Sequence, residues 1–275
     1  MPELPEVETI VRGLQKGSAS APAVLERTIL GAEVYWPGTV AEPGADEFRQ
    51  RIAGQCILEI SRRGKYLVFR LSEDYLLIHL RMSGDLLVGR DGEQLAEHVR
   101  VAFKLSGGLQ LAFNNPRKFG RVWLVEDPGE IFAGLGPEPR GSGLSSKKFA
   151  EMLHRRSRQL KPLLLDQGFI AGLGNIYVDE ALHLAHLHPL RRANTLDESE
   201  AEALLSAIRK VLNEGIRRNG ASIDWVYRGG DFQNHFRVYQ QTGEPCPECG
   251  TPINRIVVGQ RGTHLCPVCQ TLPKE

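Results

Sequence analysis

The run CPECGTPINRIVVGQRGTHLCPVC, residues 246–269, decides how the C-terminal end of the chain folds. Its spacing, Cys246-x2-Cys249-x16-Cys266-x2-Cys269, is that of a zinc ribbon. Two Cys-x2-Cys knuckles present four thiolates to one Zn²⁺ per chain and close its tetrahedral shell, so the metal is structural rather than catalytic. Gly250 allows the tight turn after the first knuckle, and residues 253–258 and 262–266 read as strands joined at Gly259-Gln260-Arg261. A module this small has little apolar core, so metal binding supplies its folding free energy. The bland alternative, reduced structural cysteines, needs the paired spacing to arise by chance. Only Cys56 lies outside the module. That distribution, in a reducing compartment, argues for metal ligation over a disulfide framework. Arg261, at the turn tip, either reaches a phosphate or is a solvated turn residue; spacing leaves both open.

Upstream, residues 221–244 read as a loop and residues 198–218 as a helix opened by an Asp197 cap. Further helical patterns cover 145–156, 159–166 and 176–185. Residues 128–144 hold three prolines and five glycines and read as the linker. Before it, from about residue 27 to 127, short apolar runs at 57–60, 66–71, 76–80, 101–105, 109–113 and 122–125 predict strands. Ser106-Gly107-Gly108 reads as a hairpin turn, and the strand spacing suggests a β-sandwich or barrel. Val7, Ile10, Val11 and Leu14 recur at helical spacing, predicting a first helix over 5–16.

The 275 residues suffice for two domains, and 41% hydrophobic with 24% charged residues suits a soluble globular chain. No apolar run approaches the roughly 18 residues of a membrane span, and the acidic N-terminus is no secretory signal, so a cytosolic location is expected. The net charge of +1 announces no nucleic-acid partner. Local basic clusters do occur at 62–65, 117–121 and 140–161, although a solvated face is the commoner cause of any one of them.

Met1 precedes Pro2, and a small second residue permits removal of the initiator methionine. That exposes a prolyl secondary amine, partly neutral near pH 7 because an α-amino group titrates near pH 8. Such an amine attacks an electrophilic carbon such as a sugar C1′. The iminium it forms cannot lose its charge by N-deprotonation, so it acts as an electron sink that favours elimination. Glu3 could act as general acid to a departing or ring-opening oxygen, and Glu6 could orient the terminus. Taken by themselves, the same acids are an ordinary complement to a helix dipole.

MPELPEVET at 1–9, HLRMSG at 79–84, NNPRKFGR at 114–121, LGPEP at 135–139, GLGNIYVDE at 172–180 and FQNHFRVYQQTGEPC at 232–246 occur in order ahead of the cysteine module. Together they closely resemble the formamidopyrimidine glycosylase–endonuclease VIII family, over nearly the whole chain. The resemblance implies an α+β fold: an N-terminal β-sandwich with flanking helices (1–130), a linker (131–144), a helix–two-turns–helix domain (145–240) and a four-cysteine zinc finger (241–275). It implies a monomeric base-excision repair enzyme on double-stranded DNA, with the duplex in the cleft between the domains. Such an enzyme flips out an oxidised or ring-opened purine, 8-oxoguanine or a formamidopyrimidine, and removes it. It then cleaves the abasic site by β,δ-elimination through a Schiff base on Pro2.

In that scheme Glu3 is the proton donor to the sugar and Lys65 the proton donor of β-elimination. Arg261 grips phosphate and serves δ-elimination, and Glu6 and Glu180 support the amine. Met82, Arg117 and Phe119 fill the hole left by the flipped base, with Arg117 meeting the orphaned partner base. Lys161, Asn175 and His98 join Arg117 as DNA-binding residues. Asn175 follows Gly172 and Gly174 at a helix start, a ready anion site. From the residues alone, Met82 and Phe119 would be core, Arg117 a surface charge, and His79 and His98 hydrogen-bonded structural residues. Two features depart from the family. ASIDWVYRGGD at 221–231 is shorter than usual, which loosens any link to 8-oxoguanine, and Arg81 stands where a glycine is usual. The alternatives are an endonuclease VIII-like enzyme for oxidised pyrimidines and a zinc-ribbon DNA-binding protein without catalysis.

Overall fold

The computed structural model describes residues 1–17, 21–222 and 229–272. The shortened stretch expected at 221–231 falls largely on residues 223–228, outside the described residues. The chain divides into two compact units, Met1–Ala133 with the described ends of the 222–230 segment, and Gly134–Ala221 with the chain from Asp231 onward. Among the described residues no helix is long and apolar enough to cross a membrane.

The first unit opens with helix α1 (Leu4–Lys16), whose Val7, Val11 and Leu14 face inward at helical spacing. Nine strands follow: β1 (Ile29–Val34), β2 (Val40–Glu42), β3 (Ile57–Arg63), β4 (Tyr66–Leu71), β5 (Tyr75–His79), β6 (Asp85–Arg90), β7 (Val99–Leu105), β8 (Leu109–Asn114) and β9 (Arg121–Val125). They form two sheets, in the orders β1-β7-β8-β6 and β2-β9-β5-β4-β3. Every pairing is antiparallel except β2 with β9. Phe103, Leu111 and Phe113 of one sheet and Leu67, Phe69 and Ile78 of the other share one apolar core, giving the expected sandwich. In β4 and β5, Val68 and Leu77 point the other way, into a second cluster with Val125, Ile131 and Phe132. Burial on both faces is why these strands read as unbroken apolar runs.

Three local readings need correction. A helix, α2 (Ala45–Ile52), interrupts the region read as strands; Phe48 and Ile52, four residues apart, bury its inner face. Strand β6, like β1 and β2, falls within the region read as strands but in none of the six apolar runs named there; in β6, Gly84 and Gly89 bracket a short apolar run. The proline- and glycine-rich stretch begins with a helical turn, α3 (Gly129–Phe132), held by its Ile131 and Phe132 on the second cluster.

The second unit contains α4 (Ser146–His154), α5 (Leu160–Leu164), α6 (Asn175–Leu184) and α7 (Glu198–Arg217), each bound within two residues of the expected one. α6 and α7 pack together across the turns between them as a helix–two-turns–helix. α7 starts with the anticipated Asp197 cap, a reciprocal box with Glu200. The unit ends in the hairpin β10 (Asn254–Val258) and β11 (Arg261–Leu265), with Val258 opposite Arg261. Arg261 therefore opens a strand rather than sitting in the turn. The turn is only Gly259 and Gln260, both at positive φ (55° and 63°), the two-residue geometry that suits strand twist.

Candidate functional site

At the chain start, Pro2 and Glu3 are buried at the head of α1. Glu3 is the N-cap, and its backbone N–H donates to Glu6 Oε2 at 2.8 Å, one half of a capping box. Two carboxylates are thereby fixed within one turn of the terminal amine. α1 packs on β3 and β4, and Lys65, also buried, lies in the turn joining those strands, where Gly64 takes φ 58°. Glu8, one turn further along α1, bonds Arg62 at 2.8 Å. Burial pushes the Glu8 carboxyl up, but the Arg62 and Arg12 guanidinium groups outweigh it and hold it below the usual range.

His79 ends β5. Burial, and then the Arg81 and Lys65 cations, push its pKa down to about 3, so the ring is neutral at pH 7. Its Nδ1 accepts the Arg81 N–H at 3.0 Å. Arg81 sits at φ 54°, the left-handed region where glycine is at ease. Met82, next along, is 44% exposed and Phe119 56%, so neither belongs to the core. Arg117 reaches Met82 Sδ at 3.7 Å, which joins the two surface loops. The half-buried His98 is tied to the same place, its carbonyl accepting the Asn115 N–H at 2.8 Å.

In the second unit one carbonyl gathers three of the expected residues. The Gly262 oxygen, beside exposed Arg261, accepts from Lys161 Nζ at 2.9 Å and Asn175 Nδ2 at 3.1 Å. Lys161 is fully buried and also bonds Asp179 Oδ1 at 2.6 Å. Asp179 Oδ2 in turn accepts the His264 N–H at 2.9 Å. The ammonium thus anchors the hairpin tip that presents Arg261. Glu180 is held within its own unit: its carboxylate accepts the backbone N–H groups of Arg237, Val238 and Tyr239 at 2.8–3.1 Å. Burial nevertheless pushes its carboxyl above the ordinary value.

The sulfurs of Cys246, Cys249, Cys266 and Cys269 lie within 4.8 Å of one another, with 3.9 Å between Cys246 and Cys269 and 3.4 Å between Cys249 and Cys266. Zn–S bonds of about 2.3 Å in a tetrahedron require sulfurs about 3.8 Å apart, so the set fits a four-thiolate zinc. Asp179 and His183 were not singled out from sequence, though a signal existed. Asn175, Asp179 and His183 recur every four residues along α6, a polar stripe on a buried helix. His183 is fully buried with Nε2 3.4 Å from Cys246 Sγ.

Family models match three stretches of the chain. Residues 1–122 match the formamidopyrimidine-DNA glycosylase N-terminal domain, 135–226 its H2TH domain, and 243–272 the zinc finger found in FPG and IleRS. Formamidopyrimidine-DNA glycosylase of Protochlamydia amoebophila is 43% identical over 279 residues, covering 98% of this chain and 99% of the relative. That of Chloroflexus aggregans is 46% identical, covering 99% of each. Among solved structures, MutM in complex with DNA containing carbocyclic 8-oxo-G superposes with a TM-score of 0.91 at 38% identity, covering 98% of this chain and all of that one. Lactococcus lactis Fpg (MutM) with DNA containing N7-benzyl-Fapy-dG gives the same values.

Proposed function

The chain belongs to the formamidopyrimidine-DNA glycosylase family and is a base-excision repair glycosylase, and from that premise we propose that it works through the imino nitrogen of Pro2, freed by removal of Met1. Its substrate is duplex DNA carrying an oxidised or ring-opened purine, engaged by one protein chain, and the reading places the enzyme in the bacterial cytosol with the nucleoid. One observation carries the assignment: the chain's first turn holds Glu3 and Glu6 buried and locked to each other beside the only secondary amine a mature terminus could offer.

The Pro2 nitrogen attacks C1′ as the bond from C1′ to the base breaks, and the proton the amine gives up ends on the departing base. Glu3 protonates the sugar ring oxygen as the ring opens, leaving an iminium at C1′. The iminium acidifies C2′, and loss of that proton expels the 3′ phosphate, with Lys65 the proton donor. A second elimination, served by Arg261, expels the 5′ phosphate. Glu6 orients the terminus. Arg117, Met82 and Phe119 enter the stack where the damaged base left, recovering part of an unstacking cost of a few kcal/mol. His98 and Asn175 contact the backbone, while Lys161 and Glu180 act by holding the elements that bind it. When bound, zinc supplies no reactive site; its four thiolate bonds fix the hairpin that carries Arg261.

Borohydride reduction of the enzyme with abasic duplex should give a covalent adduct mapping to Pro2. One alanine inserted between Met1 and Pro2 should abolish it. Adduct formation that survives the insertion would refute Pro2 as the nucleophile.

A further inference from the structure

The loop from Asn115 to Gly120 buries Asn115 at its start but exposes Arg117, Lys118 and Phe119 in succession, so the side chains of its middle do not anchor it in a core. Its carbonyls are held from outside. Arg100 of β7 donates from Nε to the Asn115 oxygen at 2.9 Å and from its terminal nitrogen to the Pro116 oxygen at 3.4 Å. Arg121 donates to the Lys118 and Gly120 oxygens at 3.1 and 3.0 Å. Lys118 is left-handed, φ 58°, and its ammonium lies 4.0 Å from the centre of the Trp36 ring. Trp36 is itself fastened to Arg100, whose backbone oxygen accepts the Tyr35 and Trp36 N–H groups at 2.9 and 3.3 Å. Gly120 closes the loop where a Cβ would fall 2.0 Å from Asn115 Nδ2 and 2.4 Å from the Phe113 ring. Arg100 thus fixes both the start of the loop and the ring on which its middle rests.

We propose that Arg100 and Trp36 are positioning residues that preset the Arg117–Phe119 wedge and thereby set how sharply the enzyme discriminates the base opposite the lesion. The inference rests on the wedge reading given above for Arg117. An arginine distinguishes one base edge from another only when its donors arrive in a fixed place, and a donor fork on a loose loop satisfies several edges. The Pro116 carbonyl held by Arg100 belongs to the peptide leading into Arg117, so releasing it frees the base-reading residue itself. Charge-assisted hydrogen bonds of this kind are the stronger ones, and two come from a single side chain.

The test uses the full-length enzyme under single-turnover conditions with Arg100→Gln, Arg100→Lys, Trp36→Leu, Trp36→Phe and, as reference, Arg117→Ala. Two readouts are compared: base excision from duplexes with the lesion opposite C or opposite A, and cleavage of a single-stranded abasic oligonucleotide, which has no opposite base. Arg100→Gln should slow duplex excision about tenfold to a hundredfold, the range expected for a misplaced contact. It should also bring the C-to-A ratio toward one, with abasic cleavage little changed. Trp36→Leu should do the same more weakly. Arg100→Lys should lie between Arg100→Gln and the parent, and Trp36→Phe should restore most of the ratio. Equal losses on both substrates would mark Arg100 as merely structural and overturn the proposal. So would an unchanged ratio in Arg100→Gln when Arg117→Ala collapses it. If Arg117→Ala itself leaves excision and ratio intact, the wedge reading fails, and the clamp with it.

Discussion

The head of α1 and the zinc hairpin both present groups to DNA in the function proposed here, yet they are held by different forces. Pro2, Glu3 and Lys65 ride on a sandwich whose core joins both sheets, α1 and α2 through apolar side chains. The hairpin rests on a cluster of four buried residues, Val238, Cys246, Ile253 and Cys266, two of which are zinc ligands. Polar contacts fix it as well: Lys161 and Asn175 on Gly262, Asp179 on His264, and Glu180 on residues 237–239. Where apolar burial supplies the stability, a polar group can be changed for its chemistry alone. Where metal and buried charge supply it, each polar group is part of the fold.

The largest expected effect follows from the metal. Apparent zinc-binding free energies in finger peptides are about 10–16 kcal/mol, far above what four buried side chains provide. Cys266→Ser should lose the metal and the hairpin together. Zinc content by mass spectrometry under native conditions should fall to zero and DNA affinity should collapse, while the β-rich circular dichroism of the sandwich persists. Retention of one zinc per chain, or loss of the sandwich signal as well, would break the comparison.

Next comes the buried pair. Asp179→Asn removes the carboxylate that bonds the buried Lys161 ammonium at 2.6 Å, and breaking a buried pair in this way typically costs about 3–5 kcal/mol. The double change Lys161→Met with Asp179→Leu removes both charges, and Gly262 keeps Asn175 as a donor. It should recover much of that loss in urea unfolding, because well-packed apolar replacements of a buried pair are often near neutral. A double variant less stable than Asp179→Asn would show that the ionic network specifies the hairpin's position beyond its electrostatic balance.

The same contrast explains what could be read in advance. Apolar periodicity reports which face of an element is buried, so α1, α7 and the strands β4 and β5 were legible. The cysteine spacing fixed the metal site because ligand geometry is local. The family resemblance singled out Lys161, Asn175 and Glu180, but their partners lie 101, 87 and 57–59 residues away, and no pattern along the chain reports which distant carbonyl or amide a polar side chain will meet. Arg100 escaped notice for the same reason. It looks like a strand's solvent-side residue until β7, the Trp36 turn and the 115–120 loop come together. α2 was missed because eight residues with two buried apolar positions carry too little periodicity to stand out among strands.

The smallest effect lies on the sandwich side and asks whether a polar group there is as separable as the contrast implies. His79 has a folded pKa of about 3 against an ordinary 6.5, so above pH 6.5 the ring is neutral in both folded and unfolded chains and its contribution is fully present. Below pH 6.5 the unfolded chain takes up a proton that the folded one refuses, and stability falls by about 1.4 kcal/mol per pH unit until the folded pKa is reached. Between pH 7 and pH 5 that amounts to about 2 kcal/mol. His79→Asn keeps a short acceptor for the Arg81 N–H and removes the titration. In urea unfolding at the two pH values, the parent should lose about 2 kcal/mol more than the variant, since only this proton differs between them. With a side-chain acceptor for the loop's backbone N–H preserved, base excision at pH 7 should change little. Equal pH slopes would mean that the ring protonates in place, and that solvent or a nearby carboxylate reaches it despite its burial at 7% exposure.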